Sequence, residues 1–313
     1  MTRPQVTHRK LLEFPGVPAI QVWSYDRLLR ARRLPWATWI FTDMDRLGPW
    51  ELELAAHCYR ELRSHGMRVL NDPARVCHRH RLLKRLKAAG VNRFEVWRTD
   101  EATAVDRWPV FLRTESAHRG PLSDLIGNAG QLGQEIEKAL STGYPEADLM
   151  VVEYCAEPVQ EQLFRKLATF RVGDRLVPTL AVHDSHWAAK HGQLGIAGAE
   201  LYREELASLS ENRHADALNK AFEIGHVEYG RADYALVSGV PQIYEINTNP
   251  TIGRVLDHPD PARVESGRVW ERNFVAALAA IDAPAGAPVP INDGILSRQR
   301  RRDLWMTRSR WVI

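Results

Sequence analysis

The sequence has few cysteines and no long apolar run. Its 313 residues include three cysteines and no CxxC pair, which argues against a disulfide framework and favours a reducing compartment. The longest clean apolar run, residues 274–281, is too short to span a bilayer. The first residues lack the apolar segment of a signal peptide. We therefore expect a cytoplasmic protein with no membrane partner.

Two common catalytic motifs are also missing. The sequence contains no GKS or GKT, so it has no Walker loop for nucleotide phosphates. It contains no GxSxG, so serine-hydrolase chemistry is not supported. A nucleotide site in this chain would need another architecture.

Positive charge is concentrated at the C-terminus. The formal net charge is +3, but six arginines and one aspartate follow residue 297, so the rest of the chain is slightly acidic. This tail interleaves arginine with Trp305 and Trp311, which predicts a segment that docks its indoles on the body. The alternative is an arm for nucleic acid or a membrane surface. Because the body is not basic, a nucleic-acid partner is not expected.

Local patterns alternate between helix and strand and predict an α/β protein. Residues 37–43 and 67–73 have strand patterns, and a helix between them starts at Pro49 and stops before Gly66. Further patterns predict strands at 108–115 and 147–157, a hairpin over 164–182 and helix over 199–224. Residues 279–294 are rich in Pro, Ala and Gly and predict a linker.

The most informative segment is VPQIYEINTNPTIG, which begins at residue 240 and follows GRADYALV. Both runs predict strands. Residues i and i+2 of a strand share a face, so Arg231 lies beside Asp233, and Glu245 lies beside Asn247. A three-residue loop, 238–240, would then put Asp233 opposite Glu245 and Arg231 opposite Asn247.

Two opposed carboxylates need something to separate their charges. Directly opposed Cβ atoms are only about 4.5–5.5 Å apart, and two carboxylates that close repel each other unless one is protonated. A divalent cation removes this conflict, and Asp, Glu and Asn oxygens are ligands that Mg²⁺ accepts. The alternative is a solvent-facing polar surface on which Arg231 neutralises the acids.

These segments resemble the ATP-grasp superfamily, and within it the RimK-like and glutathione-synthetase-like carboxylate–amine ligases. GRADYALVSGVPQIYEINTNP is similar to the family's metal-binding hairpin, in which GR-x-D and E-x-N-x-x-P recur. VLNDPARVCHRHRLLKRLKAAGV, WPVFLRTE, LMVVEYCAEP and FRKLATFRVGDRLVP follow one another in the family's order. The resemblance spans about residues 69–251.

The resemblance implies an α/β fold of several parts. We expect a small N-terminal α/β domain over 1–72 and a central lid domain over 73–155. A C-terminal metal-binding domain around an antiparallel sheet would cover 156–282. A linker and the basic tail would complete the chain over 283–313.

The resemblance also implies a role for individual residues. Asp233, Glu245 and Asn247 would hold one or two Mg²⁺, or Mn²⁺, on the phosphates of ATP. The implied catalytic residues are Arg231, at the transferring phosphoryl group or a later oxyanion, and Arg165, at the γ-phosphate. The implied nucleotide contacts are Arg79 and Arg113 at the phosphates, Glu153, Tyr154 and Cys155 at the adenine base, and Glu161 at the ribose hydroxyls.

Two departures from the family pattern concern the phosphates. Arg79 and Arg113 stand where the family usually has lysine; both keep the positive charge, but Arg grips phosphate with a planar fork instead of a point charge. The loop ESAHRGPLSD has one glycine where many relatives have several. These departures predict a lid that closes differently, or an inactive relative.

A smaller cluster lies between the two halves of the resemblance. HDSHWAAKH brings His183, Asp184, His186 and His191 close together in sequence. This spacing could suit zinc, but no further Cys or His cluster completes the set. A surface loop, or a part of the acceptor pocket with His186 and Trp187 as contacts, is the preferred interpretation.

The function implied is ATP- and Mg²⁺-dependent ligation. ATP would phosphorylate a small-molecule or peptide carboxylate, and an amine would attack the acyl phosphate, with release of ADP and phosphate. The alternatives are a small-molecule kinase that stops at phosphoryl transfer and a catalytically degenerate ATP-binding scaffold. The resemblance also allows a homo-oligomer.

Overall fold

The structure is a computed structural model of the chain. It describes residues 6–116, 120–190, 192–254, 257–284 and 286–306, and the side chains of all of these except 6, 9 and 301–306.

Helices and strands alternate along the chain. The described α-helices are α1 Tyr25–Arg30, α2 Pro49–Ser64, α3 Arg79–Ala88, α4 Ala129–Ser141, α5 Ala199–Glu211, α6 Ala215–Gly225, α7 Pro261–Ile281 and α8 Gly294–Met306. The described strands are β1 Arg33–Trp36, β2 Trp39–Ile40, β3 Val69–Leu70, β4 Val96–Arg98, β5 Val110–Thr114, β6 Leu149–Glu153, β7 Pro158–Gln160, β8 Leu163–Val172, β9 Arg175–Pro178, β10 Val182–Asp184, β11 Tyr229–Val237, β12 Val240–Asn247 and β13 Gly286–Pro290. Short 3-10 helices cover Val6–Glu13, Met44–Arg46, Thr99–Ala104 and Glu146–Asp148.

The N-terminal unit is built around a parallel strand pair. β2 and β3 lie side by side, and α2 connects them, as the sequence pattern predicts. Pro49 suits the first position of α2 because its φ is already helical, and Glu51 accepts the N–H of Gly48 at 2.9 Å. The strands are shorter than predicted, with two residues each in ladder pairing.

The segment predicted as a linker folds back onto this unit. β13 pairs antiparallel with β1, and Leu296 of α8 lies in the same core as Leu34. Arg300 donates from Nε to the carbonyl of Leu29 at 2.9 Å. Residues 286–300 are therefore part of the first unit rather than a free linker. The side chain of Trp305 and the whole of Trp311 lie outside the described residues, so tail docking stays a prediction.

The middle of the chain forms a three-stranded antiparallel sheet in the order β4-β6-β5. One face packs against α4, where Leu132 meets Val110 and Leu112. Phe111 and Val152, which point the other way, join a core that includes α3 and α6. The predicted strands at 108–115 and 147–157 are confirmed in their central residues.

The C-terminal part carries the largest sheet, an antiparallel one in the order β10-β8-β11-β12, with β7 and β9 also paired to β8. On one face Phe170 packs against Trp270 and Phe274 of α7. On the other face Ala232 packs against Phe222 of α6 and Leu83 of α3. The predicted fold class, α/β with an antiparallel C-terminal sheet, is confirmed.

Among the described residues, every helix is too short or too polar to serve as a membrane span.

The pairing of β11 with β12 fixes the register of the candidate site. Asp233 is paired with Glu245 and Arg231 with Asn247, as predicted, but by a different route. The turn has two residues, 238 and 239, both with positive φ, as in a type I′ hairpin. Tyr244 then forms a bulge. The bulge supplies the extra residue that the prediction had placed in the loop.

Asn71 ties the N-terminal unit to β11. Its side chain donates to the carbonyls of Phe41 at 2.8 Å and Tyr229 at 2.7 Å. Its oxygen accepts the N–H groups of Glu228 and Tyr229 at 2.8 and 2.9 Å. The residue is fully buried and has a φ of 63°, a conformation that asparagine tolerates better than most residues.

We expect Asn71→Ala to lower the free energy of unfolding by about 4 kcal/mol, because buried backbone groups lose their partners and alanine disfavours this backbone conformation. Urea denaturation measures the change. Asn212→Ala is the control, because Asn212 also has positive φ, at 45°, but ends a helix without such a network. A loss of about 1 kcal/mol is expected there. Equal losses in the two variants would contradict the role given to the Asn71 side chain.

Candidate functional site

One face of the C-terminal sheet gathers charged side chains from three strands. Asp233 and Arg231 lie on β11, and Glu245 and Asn247 lie opposite them on β12. β8 flanks β11 on the other side and contributes Lys166, whose Nζ is 3.5 Å from Asp233 Oδ2. We call these five residues the charged face.

Asp233 is almost completely buried, at 2% exposure, and is held by two cations. Arg231 donates to both of its oxygens, from Nε to Oδ1 at 2.7 Å and from an Nη to Oδ2 at 3.1 Å. Lys166 completes the set. A buried carboxylate requires such partners because an unpaired charge is costly away from water.

Glu245 is held by two arginines that come from outside the C-terminal sheet. Arg79, at the start of α3, forms an ion pair with Oε2, and Arg113 of β5 approaches the same oxygen at 3.6 Å. Arg79 also donates to the carbonyls of Thr114 and Glu115 at 3.0 and 2.7 Å. These contacts connect the middle sheet to the C-terminal sheet through one carboxylate.

The guanidinium group of Arg113 lies close to that of Arg79. Burial lowers the pKa of Arg113 to about 9, and the neighbouring charge of Arg79 acts in the same direction, whereas Glu245 and Asp233 oppose it. Two guanidinium groups share the Glu245 carboxylate. Around the two carboxylates there are thus four cationic side chains, and such an excess suits an anion such as a phosphate chain.

The oxygen donors of the charged face fit a hard divalent cation in chemical type. Two carboxylates and the Asn247 carboxamide lie in register on one face, and Mg²⁺ takes ligands of this kind. In this structure the carboxylates are paired with arginines, and Asn247 Oδ1 accepts the N–H of Asn249 at 2.7 Å. A metal would therefore replace contacts to arginine. Among the described residues, which include His183, Asp184 and His186 but not His191, no cluster of three or more His, Cys, Asp or Glu is arranged for a metal.

Arg165 does not lie on the charged face. It pairs with His183 across β10 and is one residue before Lys166, so its side chain projects from the opposite side of the sheet. There it forms a 2.9 Å ion pair with Glu204 of α5. Lys166 rather than Arg165 is therefore the β8 cation that reaches Asp233, and the alternation of β8 that decides this could not be assigned without its partner strands.

The predicted base-contact segment follows β6. Glu153 accepts the N–H of Glu95 at 2.8 Å and faces Arg107 at 3.5 Å, so its carboxylate is directed toward the β4 side. Tyr154 lies against Trp187, with ring centroids 5.7 Å apart. The carbonyl of Cys155 accepts the hydroxyl of Tyr244 at 2.6 Å, and burial raises the pKa of the Cys155 thiol to about 11.

A cavity of about 250 Å³ lies beside this segment. Glu157, Lys166, Trp187 and Tyr244 are among the residues that line it. Glu161 is exposed in the turn between β7 and β8 and is not one of the lining residues. Glu157, which sequence reasoning missed, is therefore better placed than Glu161 for a polar contact here.

A larger cavity, about 510 Å³ and open to solvent, lies where the N-terminal unit meets the charged face. Its polar lining residues include Asp45, His78, Arg79, Glu115, Glu245, Asn247 and Thr248. Asp45 and His78 had no sequence signal of their own, because the cavity forms only when separate units pack together. This cavity gives solvent access to Glu245 and therefore to one edge of the charged face.

The known proteins that this chain resembles are all solved structures. Neither the family models nor the curated proteins compared with the sequence match it. D-alanine–D-alanine ligase from Bacillus anthracis complexed with ATP is similar with a TM-score of 0.43 and 12% identity, over 78% of this chain and 75% of that one. The Coxiella burnetii D-alanine–D-alanine ligase has a TM-score of 0.46 and 12% identity, over 83% and 71%.

A third similar structure is the biotin carboxylase domain of the Hydrogenobacter thermophilus 2-oxoglutarate carboxylase, in complex with MgADP and bicarbonate. Its TM-score is 0.42 and its identity 17%, over 71% of this chain and 51% of that one. At these identities and TM-scores nothing about activity follows from the similarity.

Proposed function

We propose that this protein is an ATP-grasp ligase that joins a carboxylate to an amine and releases ADP and phosphate. The observation that supports this most is the register of β11 and β12. It sets Asp233 opposite Glu245 and Arg231 opposite Asn247, on a face that also carries Lys166. Oxygen donors and cations in one place suit a metal–polyphosphate complex.

The phosphates of ATP would bind to the four cationic side chains. Arg79 and Arg113 reach the site from α3 and β5, and Lys166 and Arg231 reach it from the large sheet. Cations from α3 and β5 and cations from the large sheet would hold the phosphate chain between them. Their shared ligand would draw the middle sheet and the large sheet together. In this proposal Lys166 takes the γ-phosphate role that the resemblance assigns to Arg165.

Asp233, Glu245 and Asn247 would hold one or two Mg²⁺. A bound ion of this kind neutralises charge on the phosphates and orients them. The ion would replace the contacts of Asp233 with Arg231 and of Glu245 with Arg79, so both guanidinium groups would be available to phosphate oxygens.

The chemistry then needs positioning and charge rather than a protein nucleophile. A carboxylate oxygen of the substrate attacks the γ-phosphorus, and ADP leaves, which gives an acyl phosphate. The amine nitrogen attacks the acyl carbon, and inorganic phosphate leaves as the nitrogen loses a proton. Arg231 would stabilise the oxyanion of that step, a type of contact worth about 3–4 kcal/mol. The 510 Å³ cavity beside Glu245 is a suitable place for the acceptor.

The experiment that tests this function has two stages. Titration calorimetry with Mg-ADP measures whether the nucleotide binds, and failure to bind at millimolar concentration would overturn the proposal. The second stage supplies ATP, a panel of amino acids as carboxylates, and hydroxylamine as the amine. A ligase releases ADP and forms a hydroxamate, which is detected by its colour with iron(III).

Two alternatives give different products. A kinase leaves the phosphate on a hydroxyl of the product and forms no hydroxamate. A degenerate scaffold binds Mg-ADP and releases no ADP from ATP. The two arginines at lysine positions favour the scaffold more than any other departure, because both are engaged with Glu245.

A further inference from the structure

Trp187 is partly buried and lies beside the residues predicted to contact the base. It belongs to the loop between β10 and α5, and its ring centroid is 4.8 Å from that of Phe111 and 5.7 Å from that of Tyr154. Trp187 and Cys155 both pack against the core that contains Phe111. A side chain from a distant loop therefore fills space between β5 of the middle sheet and the segment after β6.

A second aromatic side chain engages the backbone of the same segment. The hydroxyl of Tyr244, the bulge residue of β12, donates to the carbonyl of Cys155 at 2.6 Å. A purine with an exocyclic amine would present an N–H donor to such a carbonyl. In this structure the carbonyl already has its donor from within the chain.

The loop that carries Trp187 is held in an unusual conformation. Ala189 has a φ of 38° although it is not glycine, and it is buried at 3% exposure. Asp184 accepts the N–H of His186 at 3.1 Å, and His186 Nδ1 faces the N–H of Ala188 at the same distance. Strained backbone that the surroundings hold in place is found at switch regions and ligand clamps.

We propose that Trp187 and Tyr244 occupy the base subsite of the unliganded protein, so that a nucleotide binds only after the Trp187 indole has moved out. This inference rests on the proposed nucleotide function. Indole and purine are both flat, fused two-ring systems, and the Tyr244 hydroxyl takes the place of the purine amine at the Cys155 carbonyl. The contact is thus autoinhibitory, since the open state is a minor fraction and the apparent affinity falls by that fraction.

Calorimetry with Mg-ADP tests the indole directly. Trp187→Ala is expected to bind Mg-ADP about tenfold more tightly than the unchanged protein, as removal of a closed state populated at about 90% requires. Trp50→Ala is the control, because Trp50 is an exposed tryptophan on α2, and its affinity should not change. Equal binding by Trp187→Ala would overturn the inference, and weaker binding would overturn it and make the indole a platform for the base. Trp187→Leu keeps an apolar side chain in the core if the alanine variant does not fold.

Tyr244→Phe tests the hydroxyl with the ring still in place. It leaves the Cys155 carbonyl without that donor, so ADP, which has an exocyclic amine, should bind several-fold more tightly. IDP has a carbonyl at that ring position, and its affinity should stay unchanged or fall. An equal change for ADP and IDP would contradict a base contact at Cys155.

Fluorine NMR follows the indole in the unchanged sequence. Protein labelled with 5-fluorotryptophan is compared with Trp187→Phe to assign the Trp187 resonance among ten tryptophans. Mg-ADP should shift this resonance toward that of an exposed indole. A resonance that stays in place while calorimetry shows binding overturns the inference alone. If neither the unchanged protein nor any variant binds Mg-ADP, the proposed function fails with it.

Discussion

Replacing Glu245 by glutamine is expected to lower ATP-dependent ADP release by about a thousandfold or more, because a charged ligand of the metal–phosphate site is lost. The same change should lower the free energy of unfolding by about 3 kcal/mol. Arg79 and Arg113 both contact this carboxylate, and removal of one member of a buried pair leaves the other charge uncompensated. Steady-state ADP release and urea denaturation measure the two effects separately.

Glu271→Gln is the matched control for this result. Glu271 is a buried carboxylate on α7 in a two-point ion pair with Arg254, at 2.9 and 3.0 Å, and it lies outside the charged face. The variant should lose stability to a similar degree and keep its rate of ADP release. If Glu245→Gln kept its rate under conditions in which it is folded, the assignment of the charged face would be wrong.

The register of the hairpin could be predicted from sequence because it depends on local chemistry. Polar residues two apart on each strand had to share a face, and the opposition of Asp233 and Glu245 followed from an assumed three-residue loop. The structure reaches that opposition with a two-residue turn and a bulge at Tyr244. The loop and the bulge each add one residue between the pairs, so the error in the turn did not affect the result.

The same local reasoning could not assign the two faces of β8. In the pair Arg165-Lys166 a shift of one residue moves the side chain to the other side of the sheet, and the sequence pattern around it has no clear alternation. Only the pairing with β10 and β11 shows which of the two reaches Asp233. A motif match chose the arginine, because its chemistry suits phosphate, and it had no information about direction.

Contacts between distant segments were beyond the sequence for another reason. β13 returns to β1 across more than two hundred residues of chain, and its Pro- and Ala-rich composition favours a linker. The two arginines on Glu245 come from α3 and β5, which meet β12 only after the sheets pack. The sequence shows that Arg79 and Arg113 are cationic. Only the tertiary structure shows that both contact the Glu245 carboxylate.

The difference between Lys166 and Arg165 gives the sharpest test of the charged face. Lys166→Met is expected to lower kcat/KM for ATP at least about a hundredfold, because a cation positioned on the phosphates is lost from a partly buried site. Arg165→Met should change kcat/KM less than about threefold and lower stability by about 1–2 kcal/mol, because the Arg165 side chain is only 11% exposed but the Glu204 carboxylate that it leaves is 46% exposed and stays hydrated. Both variants replace a cation on the same strand with the same apolar side chain, so any general effect of the substitution on β8 is shared. If Arg165→Met lost activity while Lys166→Met retained it, the phosphates would bind on the α5 side of the sheet, and the charged face would be a structural ion-pair network.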